Sequence, residues 1–213
     1  MEGIESLSDY RPISVLPVLS KVYERIILTQ LCSYIEICSL YNDTQSGFRK
    51  GHSTTTILLK LRDDIRKAMN KSEVTLSILI DYSKAFDTID HGILIERLQK
   101  MNFGHNSIKI ICNYLTDRFQ YVQIEDKKSN LLPMFFGVPQ GSILGPVLFN
   151  LYVAELADRI NSTAIQYADD TTIYRHCKLR DIKPCIDSLE EDLQQLSLWS
   201  NDNNLLFNCD KLQ

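Results

Sequence analysis

Two adjacent acids, Asp169 and Asp170, stand in the run AIQYADDTTIY and are the residues of this chain best suited to chemistry. Ile165 and Tyr167 alternate with polar neighbours before them, and the β-prone residues Thr171 to Tyr174 follow. That pattern predicts strand, tight turn, strand, with both carboxylates at the tip. Two acids this close repel each other unless a cation joins them. A hard divalent cation such as Mg²⁺, held by one or two carboxylates and completed by phosphate oxygens, resolves the conflict. A solvated turn is the plainer reading, because Asp is common in turns.

A third acid bears on the choice. The apolar run VTLSILI (74–80) ends at Asp81, within LIDYSKAFDTIDH. An acid at the end of such a strand is carried on a rigid element, although a strand-ending Asp can equally cap a helix. If this strand pairs beside the 165–174 hairpin, Asp81 and Asp169 converge. Two or three carboxylates then suffice to hold two metal ions about 3.5–4 Å apart, the spacing of phosphoryl-transfer sites. Between these acids in sequence lies GVPQGSILGPVLFNLY (137–152). Its Pro139–Gln140–Gly141 turn lets the backbone approach a ligand closely. Gln140 is a neutral hydrogen-bonding group in very apolar surroundings, and a purely structural tight loop explains the same residues.

The helices and strands around these groups show as patterns. Residues 18–37 and 53–70 predict helices, the second capped by Ser53 or Thr54. Helices are expected near 92–101 and 105–116, strands at 118–124 and 134–138, and a buried helix at 142–157. Ile182, Ile186, Leu189, Leu193 and Leu196 mark one face of a further helix, and 205–208 reads as a last short strand. The order implies an α+β fold with an antiparallel sheet and helices packed on one face.

The chain has 213 residues, 44% hydrophobic and 23% charged, as globular proteins do. Residues 1–72 hold 10 basic and 8 acidic side chains, net +2, and residues 73–213 hold 13 and 19, net −6. A nucleic-acid-binding protein is usually basic on at least one face, so this balance argues mildly against one. The six cysteines form no CxxC pair or zinc cluster, and no secretory signal opens the chain. They read as reduced thiols of an intracellular protein, nuclear or cytoplasmic. Residues 129–154 carry no charge, but their prolines and glycines make a membrane span a poor reading.

Asp81 with Phe86, PQG at 139–141 and YADD at 167–170 occur in the order of the palm motifs of reverse transcriptases. YRPISVLPVLSKVYERII (10–27) and QSGFRKGHST (45–54) resemble the fingers motifs of non-LTR (LINE-type, jockey-like) retrotransposon enzymes. YLTDRFQYVQI (114–124) is similar to the segment that those enzymes carry between their first two palm motifs. The resemblance covers about residues 9–213.

The resemblance implies a right-hand polymerase fold. Residues 1–72 would be a fingers portion, and 73–213 the palm with a fingers insertion near 92–130. It implies two-metal nucleotidyl transfer, with Mg²⁺ or Mn²⁺, of deoxynucleotides onto a DNA primer along an RNA template. Asp81 and Asp169 match the metal ligands, with the Tyr82 carbonyl as a further contact and Asp170 assisting. Phe86 matches the steric gate against a ribose 2′-hydroxyl. Gln140, Arg49, Lys50 and Lys211 fall at the nucleotide, Lys211 where a general acid would stand. Gly141, Arg118 and Tyr167 fall beside template or primer. The primer grip and thumb, and any endonuclease domain, are expected outside this chain, and would supply the missing basic surface. The alternatives are an inactive, truncated element copy and a group II intron maturase.

Overall fold

The computed structural model describes residues 13–208. Along them run α1 (Val18–Ile37), α2 (Thr54–Asn70), β1 (Glu73–Ile80), α3 (His91–Lys100) and α4 (His105–Leu115). Four short strands follow: β2 (Arg118–Gln120), β3 (Gln123–Ile124), β4 (Lys127–Lys128) and β5 (Leu132–Met134). Then come α5 (Gly145–Tyr152), β6 (Thr163–Tyr167), β7 (Asp170–Lys178) and α6 (Ile182–Asp202). The helices begin where local chemistry starts them. Pro17 precedes α1. A reciprocal capping box joins Ser53 and Thr56 at α2. The Asp90 carboxylate accepts the Ile93 N–H at α3, and Pro146 stands in the first turn of α5.

The central sheet is antiparallel in the order β1–β7–β6. Its register pairs Ile80 with Thr171 and Ile78 with Ile173 on β1 and β7, and Ile173 with Ala164 on β6. A fourth strand-like segment lines the free edge of β6. Gln45 bridges Gln166 in parallel, the Gln166 N–H donates to the Thr44 carbonyl, and the Ser46 N–H donates to the Gln166 carbonyl.

Alternate residues of a strand face opposite ways, and the two sheet faces differ accordingly. Ile80, Ile173 and Ala164 join Leu189, Leu196 and Trp199 of α6 in one core that also takes in Leu94, Leu98, Leu148 and Phe149. Each fully buried Leu, Ile or Phe among them contributes roughly 1.5–3 kcal/mol. The opposite face is covered at one end by α2, where the Tyr174 hydroxyl donates to Asp64 at 2.8 Å. At the hairpin end it is open, and Leu79 there is 47% exposed. The expected helical layer is therefore α6 with its neighbours, and α2 adds cover at the far end of the other face.

Some elements depart from the sequence reading. The strand expected at 118–124 is broken into β2 and β3, because these exposed residues have only short hairpin partners. The strand expected at 134–138 instead lies at 132–134, where β2 offers partners; Phe136 makes only a bridge to Asp90, and Gly137 then takes φ +78. The helix expected over 142–157 is α-helical only for Gly145–Tyr152, with a 3₁₀ turn at Leu156–Arg159. The last strand shrinks to one bridge between Tyr82 and Phe207. No helix among the described residues is long and apolar enough to cross a membrane.

Candidate active site at the open hairpin end

The two-residue loop Ala168–Asp169 joins β6 to β7 after the Tyr167–Asp170 pair. Ala168 has φ +56, whereas Asp169 is not among the positive-φ residues. Positive φ at the first loop position alone is the dihedral signature of a II′ turn, whose twist suits a hairpin.

The register places the acids. Ile80 and Thr171 face each other, both buried on the core side. One step further along both strands brings Asp81 beside Asp170, and alternation turns both toward the open face. Asp169 stands beyond them at the turn tip. Asp81 is steadied by residue 208: the Asn208 Nδ2 donates to Asp81 Oδ2 at 3.0 Å, and the Asn208 N–H to the Asp81 carbonyl at 2.8 Å. The Ser83 N–H donates to the Leu206 carbonyl at 2.8 Å on that same edge. Successive carbonyls in a strand point to opposite edges, so the Tyr82 carbonyl is directed to the β7 side, where the acids are.

Three segments close on this tip. A Cβ at Gly47 would lie 2.1 Å from the Ala168 nitrogen, so the 44–48 segment touches the turn backbone to backbone. The Asn150 amide donates to the Gly47 carbonyl at 2.7 Å and fixes that segment to α5. The next ring, Phe48, meets Phe86 edge-on at 6.1 Å, and Phe86 packs on Phe149 at 4.9 Å. Phe86 is thus half-buried packing and a bulky wall at once. Beside it, Gln140 Nε2 contacts both carboxylate oxygens of Asp87, at 3.0 and 2.9 Å. A carboxylate only accepts, so the amide nitrogen must face Asp87 and Gln140 Oε1 is turned away from it. Gly137 supports the approach: a Cβ there would strike the Asp87 backbone at 2.7 Å.

The PQG turn is also held by the N-terminal segment. Glu24 on α1 is fully buried and accepts the Ile143 and Leu144 N–H groups at 2.7 and 3.1 Å. The Ser14 N–H donates to the Gln140 carbonyl at 2.9 Å. Asp87, Glu24, Gly47 and Asn208 are the partners that the sequence reading missed. Glu24 had a signal, an acid inside the apolar run SKVYERII. The others became visible only as neighbours in space.

The cationic residues expected at the nucleotide are placed differently from one another. Arg49 is mostly buried, 3.6 Å from Glu36 and with its guanidinium 5.0 Å above the Tyr41 ring. Lys50 is exposed. Arg118 lies over Tyr114 at 5.3 Å and donates to the Tyr114 carbonyl. Gly141 has φ +92 and is exposed, and Tyr167 is half-buried. Lys211 lies outside the described residues.

Among the described residues no three His, Cys, Asp or Glu side chains form a ready-made metal cage. Asp81 and Asp169 on neighbouring elements, with the Tyr82 carbonyl, nonetheless fit a hard cation. Such an ion takes all-oxygen ligands and leaves positions for substrate phosphates.

A family model described as reverse transcriptase (RNA-dependent DNA polymerase) matches residues 4–213. The RNA-directed DNA polymerase from mobile element jockey of Drosophila melanogaster is 29% identical, with 96% of this chain and 23% of that protein covered. The probable RNA-directed DNA polymerase from transposon BS of the same organism is 34% identical, with 92% and 22% covered. The chain therefore spans less than a quarter of these relatives' length. Telomerase from Candida albicans, solved with a fragment of telomeric RNA, superposes with a TM-score of 0.65 at 14% identity. That superposition covers 92% of this chain and 35% of the telomerase chain, and it is a likeness of fold.

Proposed function

The chain belongs to the reverse transcriptase (RNA-dependent DNA polymerase) family, and on that premise we propose that it is the fingers and palm of an RNA-directed DNA polymerase from a non-LTR, jockey-like retrotransposon. Its substrates are an RNA template, a DNA primer and deoxynucleoside triphosphates. The observation that carries this reading is the shared open face of Asp81 and Asp170, one step past the Ile80–Thr171 pair, with Asp169 at the tip.

Asp81 and Asp169, with the Tyr82 carbonyl, would hold two Mg²⁺ ions, with Mn²⁺ as a substitute. Bound there, the ions would supply Lewis-acid chemistry, lowering the pKa of the primer 3′-hydroxyl and stabilising the departing pyrophosphate. The chain's own residues do the rest. The Asn208 amide holds the Asp81 carboxylate in one orientation. Phe86, backed by Phe149, walls the sugar position and excludes a 2′-hydroxyl. Asp87 presents Gln140 Oε1 as an acceptor toward a donor on the nucleotide. The 44–48 segment braces the turn so that the acids are placed before substrate arrives. Fixed placement of charged groups is what lowers the barrier. Arg49, Lys50, Arg118, Gly141 and Tyr167 remain proposed contacts to triphosphate, template or primer, and Lys211 a proposed general acid.

The test is primer extension on poly(rA)/oligo(dT) with Mg²⁺. Asp169→Asn is expected to lower extension by at least about 10²-fold with primer–template affinity retained, a loss confined to the reacting complex. Equal extension by wild type and Asp169→Asn removes the assignment. Mn²⁺ titration followed by electron paramagnetic resonance reads the ligand set independently of turnover. Asp81→Asn should weaken that binding.

A further inference from the structure

One side chain of α1, Glu24, reaches the segment that follows Gln140. It stands in the second turn of that helix and is fully buried. Both of its oxygens are used. Oε2 accepts the Ile143 and Leu144 N–H groups at 2.7 and 3.1 Å, and Oε1 accepts the Ser20 hydroxyl at 3.2 Å. No ion pair involves Glu24 among the described residues. Its charge is met there by N–H and O–H donors, and such charge-assisted hydrogen bonds are what a buried carboxylate needs.

Local chemistry leaves this place open for a distant acid. α5 begins after Leu144, whose side chain caps nothing. Ser142 does part of the work: its hydroxyl accepts the Gly145 N–H at 3.1 Å, and its N–H donates to the Pro139 carbonyl at 3.0 Å. The Ile143 and Leu144 N–H groups are left over, and Glu24 takes them from 119 and 120 positions away in sequence. A second contact from the N-terminal side grips the turn ahead of these residues, where the Ser14 N–H donates to the Gln140 carbonyl at 2.9 Å. With its amide nitrogen on Asp87, Gln140 is thus anchored through its carbonyl, its side chain and the residues that follow it.

We propose that Glu24 is a positioning residue for the incoming nucleotide: by holding Ile143 and Leu144 it fixes the Pro139–Gln140–Gly141 turn, and with it the place of Gln140 Oε1. This role rests on the reading of Gln140 as a nucleotide contact. Glu24 is buried, so its effect passes through the turn. Its loss leaves two buried N–H groups without acceptors, and the turn must shift to satisfy them. The acids are held independently, Asp81 by Asn208 and the hairpin tip by the 44–48 segment. Primer extension on poly(rA)/oligo(dT) with dTTP varied reads the effect. Glu24→Leu should raise the KM for dTTP at least about tenfold, the scale of a small misplacement, with Mn²⁺ affinity by electron paramagnetic resonance unchanged. Glu24→Gln keeps an acceptor oxygen of the same reach and should stay within about threefold of wild type. Glu24→Asp keeps the charge but is one methylene short, so its KM should lie between the two. In a Gln140→Ala background, Glu24→Leu should add little to KM, because both changes act on one contact. A lowered thermal midpoint with unchanged KM makes Glu24 a packing residue and overturns the role. Additive effects in the double variant, or weakened Mn²⁺ binding, overturn the route through Gln140. If Glu24→Leu does not fold, Glu24→Asp against Glu24→Gln decides: equal KM values in both overturn the role. A wild-type chain that extends no primer overturns the polymerase reading itself, and this role with it.

Discussion

Phe86 is fixed by packing, and the gate proposed for it rests on that rigidity. Its ring stacks on Phe149 and meets Phe48 edge-on, so the position is rigid as well as bulky. Phe86→Val removes the wall and leaves a partial cavity, at a stability cost of about 1–3 kcal/mol. The expected gain is incorporation of ribonucleotides, read as the ratio of rNTP to dNTP extension. An unchanged ratio counts against the gate. Asp192 is a residue of another kind, buried on α6 and remote in sequence from its partners. It accepts the N–H groups of Asn161 and Ser162, each at 2.9 Å, and the Ser162 hydroxyl, with Arg175 3.9 Å away. Asp192→Asn exchanges one acceptor oxygen for a donor that faces donors. Urea unfolding should show a loss of about 1–3 kcal/mol, and an unchanged midpoint would deny Asp192 that role.

At the scale of elements, the hairpin is braced by a segment that is neither helix nor strand in its own right. Thr44 to Gly47 follow the edge of β6, and only a glycine fits where the chain meets Ala168. Gly47→Ala must displace the turn or the segment, because no backbone yields at 2.1 Å. Crowding of this kind costs about 1–3 kcal/mol. The variant should stay folded by circular dichroism while primer extension falls at least tenfold, roughly the effect of a small misplacement of reacting groups. Full extension would show that the brace does not set the acids. The segment QSGFRKGHST was legible in the sequence through its resemblance to a fingers motif. Its function as a brace was not, since parallel pairing between residues 45 and 166 leaves no local trace.

For the whole molecule, buried tyrosines make stability depend on alkaline pH. Burial, the largest cause, pushes the Tyr114 phenol up to about 12 from its ordinary 10.0. Tyr41, Tyr82 and Tyr174 are raised further, again mainly by burial. A folded pKa above the unfolded one means that the folded state holds the proton more tightly. The contribution is then fully present below about pH 10 and is lost as pH rises toward the folded values. Denaturation midpoints should therefore fall from about pH 10 upward, and Tyr114→Phe should flatten part of that fall. Tyrosinate absorbance of the four should appear together with unfolding. Free ionisation of all four near pH 10 in the folded chain would contradict their burial.

Local chemistry declares itself in the sequence wherever it is short-ranged. The spans of α1 and α2, the Ser53 cap, the β1 run ending at Asp81 and the acidic turn follow from periodicity, capping residues and β-propensity, which act within a few residues. The order of Asp81, PQG and YADD was enough to indicate the family. Strand lengths were not readable in the exposed 118–138 region, because a strand there is only as long as its partner permits. Tertiary structure alone decided that β1 pairs with β7, so that Asp81 and Asp170 share the open face. It alone turned Arg49 toward Glu36 and Tyr41, set Asp87 against Gln140, and enclosed Arg97 between two aromatic rings. Those contacts join residues 8 to 102 positions apart. Their energies depend on distances that only the folded chain defines.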